Sequence, residues 1–174
     1  MNAKPMLKTR LRAMSTFAVA TSLALSSVAM ADESIIKHPG QHPHHVAELE
    51  PHLTLGVGHE ADPFGIGLGF RATFTVLQNG FVPSINNSIG VGVGIDVFGD
   101  RLGSGLVPVV MQWNFWLTRR WSVFGEPGIA IGFGRRNQVW PHFAGGARFH
   151  FTDRIALTMR VGYPAVTVGV SFFL

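Results

Sequence analysis

The chain contains no cysteine, one tyrosine, few charged residues (14%) and no apolar run long enough to cross a membrane as a helix. Without thiols it has no disulfide, no cysteine nucleophile and no amino-terminal cysteine to lipidate, so its fold is held by packing and polar pairing alone. A spanning helix needs about 20 consecutive apolar residues. The most apolar stretch, Phe17 to Val28, is shorter and is interrupted by Ser and Thr. Any insertion into a bilayer must therefore use a closed barrel. An excess of one charge sign is also missing once the amino end is set aside. Lys4, Lys8, Arg10 and Arg12 account for the formal charge of +4, all acidic residues follow Ala31, and the remainder balances ten against ten. That balance gives no case for a nucleic-acid partner.

The amino end itself has a basic region, the apolar stretch, and Ala29-Met30-Ala31 ahead of Asp32. This pattern predicts that residues 1–31 are a cleaved export signal. The about 143 residues from Asp32 onward are enough for one domain. Residues 32–51 are rich in Pro and His and have no periodicity, which predicts a disordered, flexible periplasmic linker. Its His38, His42, His44 and His45 supply imidazoles of the kind that bind zinc, copper or nickel. Their spacing matches no closed site, and no metal or other cofactor is expected.

From His52 to Leu174, apolar residues alternate with small or polar ones in eight segments. Leu53, Leu55 and Val57 alternate with Thr54, Gly56, Gly58 and Glu60 in the first. The pattern continues through Phe64–Val76, Ile89–Val97, Val107–Leu117, Trp121–Phe133, Phe143–Phe151 and Ile155–Tyr163 to Val166–Leu174. A slip of one residue turns every side chain to the other face, so consistency over eight segments is informative. The segments are about 9 to 14 residues long, which suits tilted membrane strands. Turn signals separate them: ADP at Ala61, GDRLGSG at Gly99, TRR at Thr118, GRRNQ at Gly134, TDR at Thr152 and Pro164. The glycines of GIGLG and GVGVG fall inside strands, not at a strand-to-helix turn, so they are not a phosphate loop. They leave room for larger inward neighbours.

The second face carries about one charge per strand and much glycine, too bare for a solvated exterior. The apolar face is therefore expected to meet lipid, with the polar face filling a lumen. That assignment turns Glu60, Arg71, Asp96, Glu126, Arg148 and Arg160 inward, with Gln112, Asn114, His142 and His150. Pairing through GRRNQ is expected to bring Glu126 nearly opposite Arg148. Charges in a narrow interior must pair, which predicts a plug; a narrow ion or proton channel is the alternative. The aromatics are expected as interfacial girdles, with Trp113, Phe115, Trp121, Phe149, Phe151 and Phe172 toward the periplasm and Phe64, Phe133 and Tyr163 toward the exterior.

The final strand, with apolar residues at every second position back from Leu174, resembles the closing strand of bacterial outer-membrane β-barrel proteins, where the last residue is usually Phe. The resemblance implies an all-β, eight-stranded, antiparallel up-and-down transmembrane barrel from residue 52 to 174. It also implies an outer-membrane location with lipid around it, both ends periplasmic, a monomer, and recognition of the terminal strand by the barrel-assembly machinery. Some small barrels of this kind modify lipid A, using a Ser and a His on the lipid-facing wall. Here that wall has no Ser and only His59 at its rim, no His-x-Ser pair occurs, and Ser88, Ser122 and Ser171 point inward. The external connections are short, which argues against an adhesin or receptor. The expected function is structural or envelope-stabilising, with no enzymatic activity. A channel is the first alternative and a lipid A-modifying enzyme the second.

Overall fold

The structure is a computed structural model that describes residues 33–57, 64–99, 104–134 and 137–174. The proposed signal, His59 and Glu60 lie outside the described residues. Eight strands follow in order: β1 (Ala47–Val57), β2 (Phe64–Leu77), β3 (Asn87–Phe98), β4 (Gly105–Trp116), β5 (Trp121–Phe133), β6 (Val139–Thr152), β7 (Ile155–Tyr163) and β8 (Ala165–Phe173). Each pairs antiparallel with the next, and β1 pairs with β8 to close the barrel. Closure removes both sheet edges, so the backbone groups of every strand have a neighbour on each side. Among the described residues no helix is long and apolar enough to cross a membrane.

The alternation sets the two faces. Arg71, Arg160 and Glu126 are 2%, 1% and 0% exposed, whereas Ile66, Leu68 and Val161 are 68%, 67% and 66% exposed. This inverts the arrangement of a water-soluble barrel. Ile89 is one outward residue that escapes it: the β2–β3 connection lies over it, with Gly80 against its side chain.

Strand β1 begins at Ala47, five residues before the expected start. Leu49 and Pro51 continue the outward row of Leu53 and Leu55, and Glu48 and Glu50 join His52 and Thr54 inside. Pro51 is tolerated because the β1–β8 ladder skips Glu50 and Pro51 between Leu49↔Phe172 and His52↔Gly169. The boundary between linker and barrel at residue 51 is therefore corrected to 46.

The segment from Ser34 to Val46, expected as a disordered, flexible linker, has no repeating structure but is docked across the rim where β1 starts. Ser34 bridges to Thr118, Ile35 N donates to Leu117 O at 2.9 Å, and Asn86 N donates to Ile36 O at 2.7 Å. Ile35 and His42 are buried. His42 Nε2 donates to Gln78 O at 2.8 Å, and Gln78 Nε2 donates to His45 O at 2.9 Å. Backbone groups that a free tail would leave to water are here satisfied by the barrel.

Candidate functional site

The inward residues of β1 to β8 form one polar network through the lumen. At its centre Glu126 on β5 accepts from Arg71 on β2 at 2.7 Å, from Gln112 on β4 at 2.7 Å and from Arg160 on β7 at 3.1 Å. Arg160 reaches on to β1 through paired hydrogen bonds of 2.8 and 2.9 Å to Glu50, and donates to Thr167 on β8 at 2.9 Å. Nearer the rim that carries Ala47, Arg148 on β6 holds Glu48 through bonds of 2.9 and 2.7 Å and donates to Asn114 at 2.7 Å. Ser171 donates to the same carboxylate at 2.6 Å. The Phe124 ring lies between the two layers, 4.1 Å from the Arg148 guanidinium carbon and 5.0 Å from that of Arg160. Two cations thus share one aromatic face system inside a low-dielectric interior. Toward the other rim His52 Nε2 donates to Asp96 at 2.7 Å.

Glycine positions make this arrangement possible. Gly94 stands beside Arg71, whose Nε would lie 3.2 Å from an added Cβ, and Gly146 faces the Phe124 ring. Larger residues there would occupy the volume that the guanidinium and the ring now fill.

Of the expected lumen residues, Arg71, Asp96, Glu126, Arg148, Arg160, Gln112, Asn114, His142 and His150 all face inward, and Glu60 lies outside the described residues. The pairing differs from expectation. Arg148 stands opposite Ser122, and Glu126 opposite Ala144, so Glu126 does not meet Arg148. Their partners come from across the lumen instead. Glu48, Glu50 and His52 were missed as lumen residues, although the alternation Glu48, Glu50, His52, Thr54 against Leu49, Pro51, Leu53, Leu55 was available as a signal.

At the mouth near Ala47, rings stack in sequence. His42 packs on Trp116 at 5.5 Å, Trp116 on His150 at 4.8 Å, and His150 and His45 on Phe173 at 5.4 and 4.7 Å. Burial holds the His45 imidazole below its ordinary range, Asp153 opposes the shift, and His42, His44 and Arg148 add to it. His42 and His44 stack on each other at 5.5 Å, and His38 is exposed. Among the described residues no three His, Asp or Glu side chains converge as metal ligands. Ser122 Oγ lies 2.9 Å from His150 Nε2, a contact between strands that no local motif foretold. Both residues are buried in the lumen, and among the described residues no carboxylate hydrogen-bonds His150 to complete a triad.

Among the described residues, small cavities lie under His42 and His45 (≈ 20 Å³) and beside Asp96 and His142 (≈ 10 Å³). Each is of the order of one or two water molecules. Glu50 and Glu126 lie between them and line neither.

Outside, Trp113 packs on Phe115 at 4.8 Å, Trp121 on Phe149 at 5.0 Å and Phe149 on Phe151 at 5.3 Å. These residues and Phe172 lie toward the rim near Ala47, whereas Phe133 and Tyr163 end their strands at the opposite rim. Phe64 begins β2 at that opposite rim.

No protein-family model matches the chain, and no curated protein matches its sequence. Solved structures do match its fold. A de novo designed transmembrane β-barrel superposes with a TM-score of 0.51 at 15% identity, covering 80% of this chain and 99% of the design. The designed barrel TMB2.3 gives 0.52 at 14%, covering 77% and 97%. The Yersinia pestis outer membrane protein Ail in a phospholipid bilayer nanodisc gives 0.50 at 11%, covering 75% and 100%. At these identities the likeness is one of fold: a closed eight-stranded antiparallel barrel.

Proposed function

We propose that this chain is a monomeric integral protein of a bacterial outer membrane, with a lumen closed by ion pairs and a structural, envelope-stabilising role. The observation that carries the reading is the inverted exposure: a continuous apolar wall outside and buried, paired charge inside. Such a wall exposed to water would drive aggregation, whereas against acyl chains it costs nothing. The closed lumen supports a structural role over a conducting one, because the Glu126 layer separates two cavities of about water size. The Ser122–His150 contact faces that same lumen, away from the wall where a lipid substrate would lie. Insertion would use the barrel-assembly machinery, engaged through β8.

The test is fractionation of the exported protein, followed by electrophoresis in detergent with and without boiling. Recovery in the outer membrane with a heat-dependent mobility shift supports the reading. A soluble protein with no shift overturns it.

A further inference from the structure

The connection from β2 to β3, residues 78–86, carries no charged residue. At the rim near Ala47 it folds over the outer wall and covers Asn87 and Ile89, which are 2% and 4% exposed. Asn87 stands opposite Phe115 and Ile89 opposite Trp113, so both belong to the outward row. Asn87 is thus an amide on the apolar face, and the connection closes over it. Its Nδ2 donates to Val82 O at 2.8 Å and to Ile85 O at 2.7 Å, and its Oδ1 accepts from Trp113 Nε1 at 2.9 Å. Gly80 N donates to Asn87 O at 2.8 Å. One side chain therefore pairs two carbonyls and an indole N–H that acyl chains could not satisfy. On the outside, Phe81 is 60% exposed, with its ring edge-on to Trp113 at 5.9 Å. Val76 and Leu77 at the end of β2 are exposed as well, so the apolar wall runs on into the connection. The β6–β7 turn at the same rim differs, since its exposed residues Asp153 and Arg154 are charged.

We propose that the β2–β3 connection is a lipid-facing element, lying at the boundary between headgroups and acyl chains of the leaflet facing this rim, with Phe81 in the apolar layer. The proposal rests on the reading of the chain as a transmembrane barrel. A segment enters that layer at low cost when it carries no charge and its polar backbone groups are paired within the protein. The connection has no charge, and Asn87 supplies the pairing where it touches the wall. A tryptophan at a membrane boundary typically keeps its N–H on the wet side. Trp113 gives its N–H to Asn87 instead, and Phe81 packs against its ring. On this side of the barrel the wet boundary is therefore moved from Trp113 out to the connection beyond it.

Because the chain has no cysteine, a single one introduced by substitution takes a nitroxide label at one place. Phe81→Cys, Met159→Cys and Arg154→Cys, each labelled and placed in phosphatidylcholine bilayers, report on the connection, the wall and the β6–β7 turn. Collisions of each label with oxygen, which concentrates among acyl chains, are compared with collisions with a water-soluble nickel chelate. The label at 81 is expected to match that at 159 in favouring oxygen, with loss of the nickel collisions seen at 154. A label at 81 that matches the one at 154 overturns the proposal. One shielded from both reagents also overturns it, and assigns the surface to a protein partner or a second copy. The label at 159 separates the two readings: if it favours oxygen while 81 favours nickel, this element alone fails, and if it favours nickel, the barrel reading beneath it fails.

Discussion

Glu48 and Arg148 meet across the lumen through hydrogen bonds of 2.9 and 2.7 Å, although 100 residues separate them and β1 does not pair with β6. With Asn114 and Ser171 on the same pair, one ion pair joins β1, β4, β6 and β8. Glu126 similarly joins β5 to β2, β4 and β7. These contacts brace the barrel across its diameter, a direction that the strand ladders do not reach.

Removing one member of such a pair leaves the other buried and unmatched. Glu48→Ala should lower unfolding stability in detergent by about 3–5 kcal/mol. Combining it with Arg148→Met should recover most of that loss, since the charge that needed a partner is gone. Equilibrium denaturant titrations of the three variants check this, and additive losses would contradict it.

Inward and wall glycines should respond differently to a methyl group. At Gly146 an added Cβ meets the Phe124 ring and lies 2.6 Å from Met159 O, whereas at Gly125 nothing lies within 4 Å. Gly146→Ala should cost about 1–3 kcal/mol by overpacking. Gly125→Ala should stay within about 0.5 kcal/mol of the unaltered chain. Thermal and denaturant midpoints measured side by side decide the comparison.

The docked segment from Ser34 to Val46, a strap across the rim, and the central ion pairs close the lumen at different depths. Deleting residues 33–45 uncovers the ≈ 20 Å³ cavity under His42 and His45 and leaves the Glu126 layer in place. Planar-bilayer recordings should show no current from either the intact or the shortened protein. Current is expected when Arg71, Glu126 and Arg160 are all changed to Ala. Conduction by the shortened protein alone would assign closure to the strap.

Docking of the strap should weaken in acid. Burial lowers the His45 pKa from its ordinary 6.5, so the docked state prefers the neutral imidazole. Its contribution is full above that value and is lost as pH falls below it. The protection factors against amide exchange at Ile35 and Asn86, whose N–H groups are hydrogen-bonded to Leu117 O and Ile36 O, should fall below about pH 6.5, after correction for the slower intrinsic exchange in acid. The His45→Gln variant should lose that pH dependence.

Alternation along the chain determined the strands from β2 onward and which face each residue takes, because a strand's side-chain period is a local property. It was sufficient to turn Arg71, Arg148 and Arg160 inward and Ile66, Leu68 and Val161 outward. Two things were decided only by tertiary structure. The first is the start of β1: Pro51 weakens the local strand signal, and the gap in the β1–β8 ladder that accommodates it exists only once the barrel closes. The second is who pairs with whom. Arg148 meets Glu48, and Arg160 meets Glu50 and Glu126, because a closed cylinder a few side chains wide brings non-neighbouring strands within reach. Period gives direction; only curvature and register give distance, and charge pairing depends on distance.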